Sequence, residues 1–175
     1  LDHLDDGDAF GPLAILEPRA DHRALTTLGP FRAPAGAALR IIHSGDRRLL
    51  IAEGERCPDV GECVREARFA DLHGPALRER PVVLPDRDGR RTRHRRLALA
   101  HESTRPTAPG WQERRTLERR LLETPDGLTL TEAEELTACP SPAGARCNLL
   151  LRRSSACLLH SADDALHCDP LPPDP

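Results

Sequence analysis

The stretch Ala37 to Cys63, AALRIIHSGDRRLLIAEGERCPDVGEC, decides how the rest of the chain reads. Two apolar runs, Leu39 to Ile42 and Leu49 to Ala52, flank Gly45-Asp46, a pair able to supply the positive φ of a tight two-residue hairpin loop. With that loop Ile41 faces Leu50 and Leu39 faces Ala52, so one side of the ribbon is apolar near its base. The other side sets Arg40 opposite Ile51 and reads as partly buried. Cys57 and Cys63 follow at once, around Pro58 and Gly61, as a clasp on the end of the ribbon.

Downstream, Val64 to Leu72 (VREARFADL) reads as a strand with helix as a close rival, because its alternate positions are only partly apolar. Pro81 to Leu84 and Leu97 to Ala100 read as a second hairpin, joined by Pro85 to Arg96 with Asp88-Gly89 as its turn. In Trp111 to Ala138 local propensity and turn chemistry disagree. Good helix formers and a capping box at Thr131 and Glu134 favour two helices. A two-residue loop at Asp126-Gly127 favours strands, pairing Leu117 with Leu136, Arg119 with Glu134 and Thr116 with Thr137, at the cost of Glu118 opposite Glu135. Cys139 to Cys147 reads as a proline-rich loop, and Asn148 to Leu151 and Ala156 to His160 as two short strands. The expected fold is mainly β, an antiparallel meander of hairpins forming a sandwich or small barrel. Helices within 111–138 would make it α+β with a smaller sheet.

Upstream, residues 1–36 are poorly patterned: Asp2, Asp5, Asp6 and Asp8 make an acidic start, and Pro12, Pro18, Pro30 and Pro34 interrupt regular structure. They read as a loosely packed arm tacked down by Phe10, Leu13, Ile15 and Leu16. Asp5-Asp6-Gly7-Asp8 lacks the alternating oxygen ligands of a calcium loop. Residues 37–168 then form a single disulfide-clasped β domain, and 169–175 an extended proline-rich tail.

Length and composition bound the function. The 175 residues suit one domain, and a formal charge of −3 creates no strong field of either sign toward nucleic acid or membrane. Every strong base is arginine, with no lysine, tyrosine or methionine, the composition of a GC-rich bacterial gene. No apolar run approaches the roughly 20 residues that span a bilayer, so no transmembrane segment is expected. Loss of a leader would leave a start such as Leu1.

Six cysteines fall into local pairs, Cys57 with Cys63, Cys139 with Cys147 and Cys157 with Cys168, each bracketing turn-forming residues. Closing such short loops stabilises by about 2 to 3 kcal/mol apiece and suits an oxidising compartment. A zinc site is the rival at the last pair, where Cys157, His160, His167 and Cys168 offer two thiolates and two imidazoles. Adjacent His167 and Cys168 would, however, point to opposite faces of a strand. No cofactor motif and no nucleophile elbow occurs; His43-Ser44, His101 and His160-Ser161 are unconstrained histidine sets. Arg87, Arg90, Arg91, Arg93, Arg95 and Arg96 crowd one hairpin tip as an anion-binding candidate. Stacking aromatics are missing, so a nucleic-acid partner is not expected. Together these features point to an extracytoplasmic bacterial β domain that binds a protein or glycan partner, or serves cell-surface structure, without catalysis. The alternatives are a hydrolase with a histidine-based site and a small zinc-binding domain.

Overall fold

The computed structural model describes residues 2–3, 8–18, 20–21, 23–44, 47–59, 62–73, 76–86, 88–140 and 146–172. Among them the chain is β throughout, with no helix. Strands β1 (Asp2–His3), β2 (Asp8–Pro18) and β3 (Arg23–Pro34) make a small antiparallel sheet. The others are β4 (Ala38–Ser44), β5 (Arg47–Asp59), β6 (Glu62–His73), β7 (Ala76–Glu79), β8 (Val82–Pro85), β9 (Arg91–His94), β10 (Leu97–Ala108), β11 (Trp111–Thr124), β12 (Gly127–Pro140), β13 (Asn148–Ala162) and β14 (Ala165–Pro170). They form one sheet in the order β4-β5-β6-β10-β11-β12-β13-β14-β8-β9, with β7 on β6. All neighbours are antiparallel except β14 and β8.

The sheet curls so that one face encloses the core. Ile42 of β4, Phe69 of β6, Leu97 and Leu99 of β10, Leu121 of β11, Leu130 of β12, Leu159 of β13 and Val82 of β8 belong to one buried cluster, although β4 and β8 stand near opposite ends of the strand order. Each such side chain contributes about 1.5 to 3 kcal/mol by leaving water.

Ile41 pairs with Leu50, Leu39 with Ala52 and Arg40 with Ile51, the register expected of a two-residue loop; Gly45 and Asp46 themselves lie outside the described residues. Burial, however, is deeper than the pattern implies. Ile51 belongs to the main core while Leu50 and Ala52 are buried on the opposite face. Arg40 can lie opposite the buried Ile51 because its guanidinium reaches Glu53 Oε1 at 2.7 Å and the Leu121 carbonyl at 3.3 Å.

The cover for that second face comes from residues 8–34, read from sequence as a loose arm. They pair as a long hairpin, and Leu28 and Phe31 pack on Leu50, Ala52, Ala70 and Leu72. The prolines hid this. Pro12 lies opposite Pro30, a position where neither amide is needed across the pair, so the ribbon continues through both. The crossing is close: a Cβ on Gly54 of β5 would sit 2.9 Å from Pro34 Cβ and 3.1 Å from Ala37 Cα.

Two expected hairpins form with altered pairing. At Asp88-Gly89, Asp86 Oδ1 accepts the amides of Asp88 (2.9 Å) and Arg90 (2.7 Å), which closes the turn so tightly that β8 returns as Arg91–His94. Leu97–Ala100 instead opens β10, between β6 and β11. In β11–β12 the loop is Pro125-Asp126, one residue earlier than expected, because proline's fixed φ suits the first corner of a turn and its missing amide does not suit a paired strand. The register moves by two. Faces are kept, Leu121 meets Leu130, and Glu118 lies opposite Ala133 instead of Glu135. Cross-strand pairing thus overrides helix propensity throughout 111–138. The two short strands expected after Cys147 are one, β13, and Asp169 and Pro170 of the expected tail extend β14 opposite Leu158 and Cys157.

Buried charge ties these layers together. Asp8, fully buried at the start of β2, accepts from Arg32 (2.6 Å), from Arg96 (2.9 Å) and from Arg68. Glu66 beside it accepts from Arg56 at 3.1 Å. Burial holds the Arg68 guanidinium below its ordinary range, against the opposing pull of Asp8.

Replacing Asp8 with alanine takes from buried Arg68 its hydrogen-bonded partner and leaves it Glu79 at 3.7 Å and Glu66 at 3.9 Å, and denaturant titration is expected to show a loss of about 3 kcal/mol. A smaller penalty, of about 1 to 3 kcal/mol, is expected for Gly54→Ala, since the added methyl must push the Pro34 corner off β5. Both variants should also be cleaved by limited proteolysis between β2 and β3 sooner than the parent chain.

Candidate functional site

Beyond the apolar core, the inner face of β11, β12 and β13 changes character. Strand alternation and the observed register put Arg115, Leu117, Arg119 and Leu121 of β11 on this face, with Glu132, Glu134 and Leu136 of β12 and Leu151, Arg153 and Ser155 of β13. Next to the apolar row Leu121–Leu130–Cys157 lies the polar row Arg119–Glu132–Ser155, and beyond it the rows Leu117–Glu134–Arg153 and Arg115–Leu136–Leu151 mix both kinds. The β8–β9 hairpin folds over it, presenting Leu84, Thr92 and His94. Between them lies a cleft of about 390 Å³, lined also by Pro85, Asp86, Arg115, Arg119, Glu132, Glu134, Arg153 and Ser155.

Its charges are arranged as pairs. Arg119 meets Glu132 through Nε (2.7 Å) and Nη2 (2.6 Å), and its Nη1 donates to the Ala98 carbonyl at 3.1 Å. Glu134, buried, lies between Arg115 (Nε to Oε1, 2.5 Å) and Arg153 (Nε to Oε2, 3.7 Å). Burial, seconded by the Arg119 charge, pushes the His94 imidazole below its ordinary value, so at neutral pH it is uncharged, with one donor and one acceptor nitrogen. Such a lining offers hydrogen-bond donors and acceptors to polar groups. A wider groove of about 1220 Å³ on the outer face, floored by Thr129, Thr131, Ala133, Ser154 and Ala156, carries fewer charges.

The residues singled out from sequence are dispersed by the strand geometry. Arg91 and Arg93 point away from the cleft; Arg93 pairs with Asp164 at 2.6 Å and Arg91 Nη1 approaches His167 Nδ1 at 3.4 Å. Arg96 turns inward to Asp8, Arg90 and Arg95 are exposed, and Arg87 lies outside the described residues. The tip is thus no single anion patch. Cys57–Cys63, Cys139–Cys147 and Cys157–Cys168 are disulfides with Cα separations of 4.1, 4.3 and 5.4 Å. The sulfurs of the proposed zinc set are therefore bonded to each other. His160 and His167 face one another on the other side of those strands, ring centroids 5.8 Å apart, with His160 Nδ1 3.0 Å from Asp169. Among the described residues no group of three or more potential metal ligands converges. His43 and His101 are exposed, and the Ser161 hydroxyl accepts from Arg47 at 2.6 Å.

Sequence reading missed His94 and the Arg115, Arg119, Glu132, Glu134 and Arg153 lattice. The signal was present as charges four apart on β11, at Arg115 and Arg119, and two apart on β12, at Glu132 and Glu134, but it becomes a surface only in the correct register.

Because the folded His94 pKa lies below the unfolded one, the unfolded chain binds more protons through this window. Stability from this group is complete above the unfolded value and is lost as pH falls through the folded one. Acidification from about pH 7 to pH 5 is expected to lower the thermal midpoint, and His94→Gln to flatten that dependence. The NMR titration midpoint of His94 should lie below that of an unfolded histidine and rise in Arg119→Gln.

Compared with known proteins, the chain matches no family model, and no curated protein or solved structure is significantly similar to it.

Proposed function

We propose that this chain is an extracytoplasmic bacterial binding module, a β-sheet scaffold clasped by disulfides that holds a protein or glycan partner without chemical turnover. The observation that carries this reading is the closure of all six cysteines into three disulfides, with none left free. Bonds of this kind persist where thiols are not kept reduced. Each joins segments already adjacent, so they brace hairpins in place and are structural in character.

The cleft supports binding over chemistry. Its carboxylates are all engaged, Glu132 and Glu134 by guanidiniums and Asp86 by backbone amides, which leaves none of them to orient His94 toward the Ser154 and Ser155 that share the lining. No helix among the described residues is long and apolar enough to cross a membrane. The arginine-only basic composition supports the bacterial origin.

Intact mass of the purified chain, taken with an alkylating reagent before and after reduction, tests this reading. No alkylation before reduction and six additions after it are expected. Six thiols that alkylate in the unfolded, unreduced chain would place the protein in a reducing compartment and overturn the proposal.

A further inference from the structure

The charges of the β8–β9 cleft are paired, but they are not balanced in the same way on every side. All three carboxylates are engaged. Glu132 holds two nitrogens of Arg119, Asp86 Oδ1 takes two amides of its own turn, and buried Glu134 sits between two guanidiniums. Arg119 is committed as well, its third nitrogen on the Ala98 carbonyl.

Arg115 and Arg153 differ. Each meets Glu134 through Nε, no other partner of either guanidinium occurs among the described residues, and both side chains are about half exposed at the cleft. Two guanidiniums around one carboxylate leave a net charge of one positive unit and several N–H donors directed by the planar fork. Beside them stand the hydroxyls of Thr92 and Ser155 and the uncharged His94, while Leu84 and Pro85 form an apolar wall.

Resting on the binding-module reading, we propose that this cleft receives one acidic sugar unit, a hexuronate, whose carboxylate lies on Arg115 and Arg153. Its ring hydroxyls meet Thr92, Ser155 and His94. The volume, about 390 Å³, lies at the low end of small-ligand sites and suits one ring. A single negative charge matches the local excess of one positive unit around Glu134, whereas the lining as a whole, three arginines against Asp86, Glu132 and Glu134, is formally neutral and opposes a phosphate dianion more than a monoanion. A divalent cation would meet the guanidiniums first. A neutral sugar would leave both of them with water.

The test is calorimetric titration of the full-length oxidised chain with methyl glucuronoside, methyl glucoside and inorganic sulfate. The uronoside is expected to bind, the glucoside and sulfate at least about tenfold more weakly, since a charge-assisted contact is lost in one and the hydroxyl contacts in the other. Arg115→Gln and Arg153→Gln should each weaken the uronoside about tenfold when titrated well below their thermal midpoints, which fall because both guanidiniums also neutralise buried Glu134. Thr92→Val, which leaves the charges untouched, should weaken the uronoside and not sulfate. An oligosaccharide with its uronate at the non-reducing end should bind as the monosaccharide does.

Equal affinity for the glucoside, equal affinity for sulfate, variants that bind like the parent, or binding confined to internal uronates would each overturn the assignment. Failure to bind the uronoside in a chain whose cysteines resist alkylation overturns this inference alone and leaves the module reading standing.

Discussion

A carboxylate taken wholly out of water must be met by positive charge and hydrogen bonds, or the fold that buries it does not form. Asp8 imposes that constraint here. Its partners, Arg32, Arg68 and Arg96, come from β3, from β6 and from the turn between β9 and β10, so satisfying one carboxylate fixes three parts of the chain. The N-terminal hairpin is thereby seated over β5 and β6. That seat is what buries Leu50, Ala52, Ala70 and Leu72 while Ile51 and Phe69 face the main core. Gly54 permits the close crossing that completes it.

Elsewhere the same chemistry recurs in a particular form. Arg40 holds Glu53 and the Leu121 carbonyl; Arg80 holds Asp71 and the Asp163 carbonyl; Arg119 holds Glu132 and the Ala98 carbonyl. Each guanidinium joins a carboxylate to backbone distant in sequence. A planar fork with donors on several edges does this, and an ammonium on a flexible stem does it poorly, so the arginine-only composition has a structural use. The Arg80 clamp braces the tight β13–β14 turn, where Asp163 adopts a φ of 49°. The Arg119 clamp forms one wall of the cleft, in which Arg115 and Arg153 are about half exposed.

Much of the β architecture was legible, because period-two patterning and turn residues are local. The pairing of Ile41 with Leu50 follows from loop length alone, as do the three cysteine pairs from their proximity. The arm was misread because prolines signal interruption unless a partner strand places them where no amide is required, as Pro12 and Pro30 are placed. The cleft was not legible for a related reason. Arg119 was set opposite Glu134 when it meets Glu132, and a two-residue slip preserves faces while changing every partner.

By itself, then, the amino-acid order determined what depends on neighbours along the chain: strand periodicity, the turns at Asp88-Gly89 and near Asp126, disulfide pairing, and the face each side chain takes. Tertiary structure alone decided which strands meet and in what register, that β2 and β3 form a packed layer, and that Arg115, Arg153 and His94 line one cleft. The physical reason is that these outcomes turn on burial. Whether Asp8 or Glu134 can leave water depends on guanidiniums contributed by strands far away in sequence, and no local pattern records that meeting.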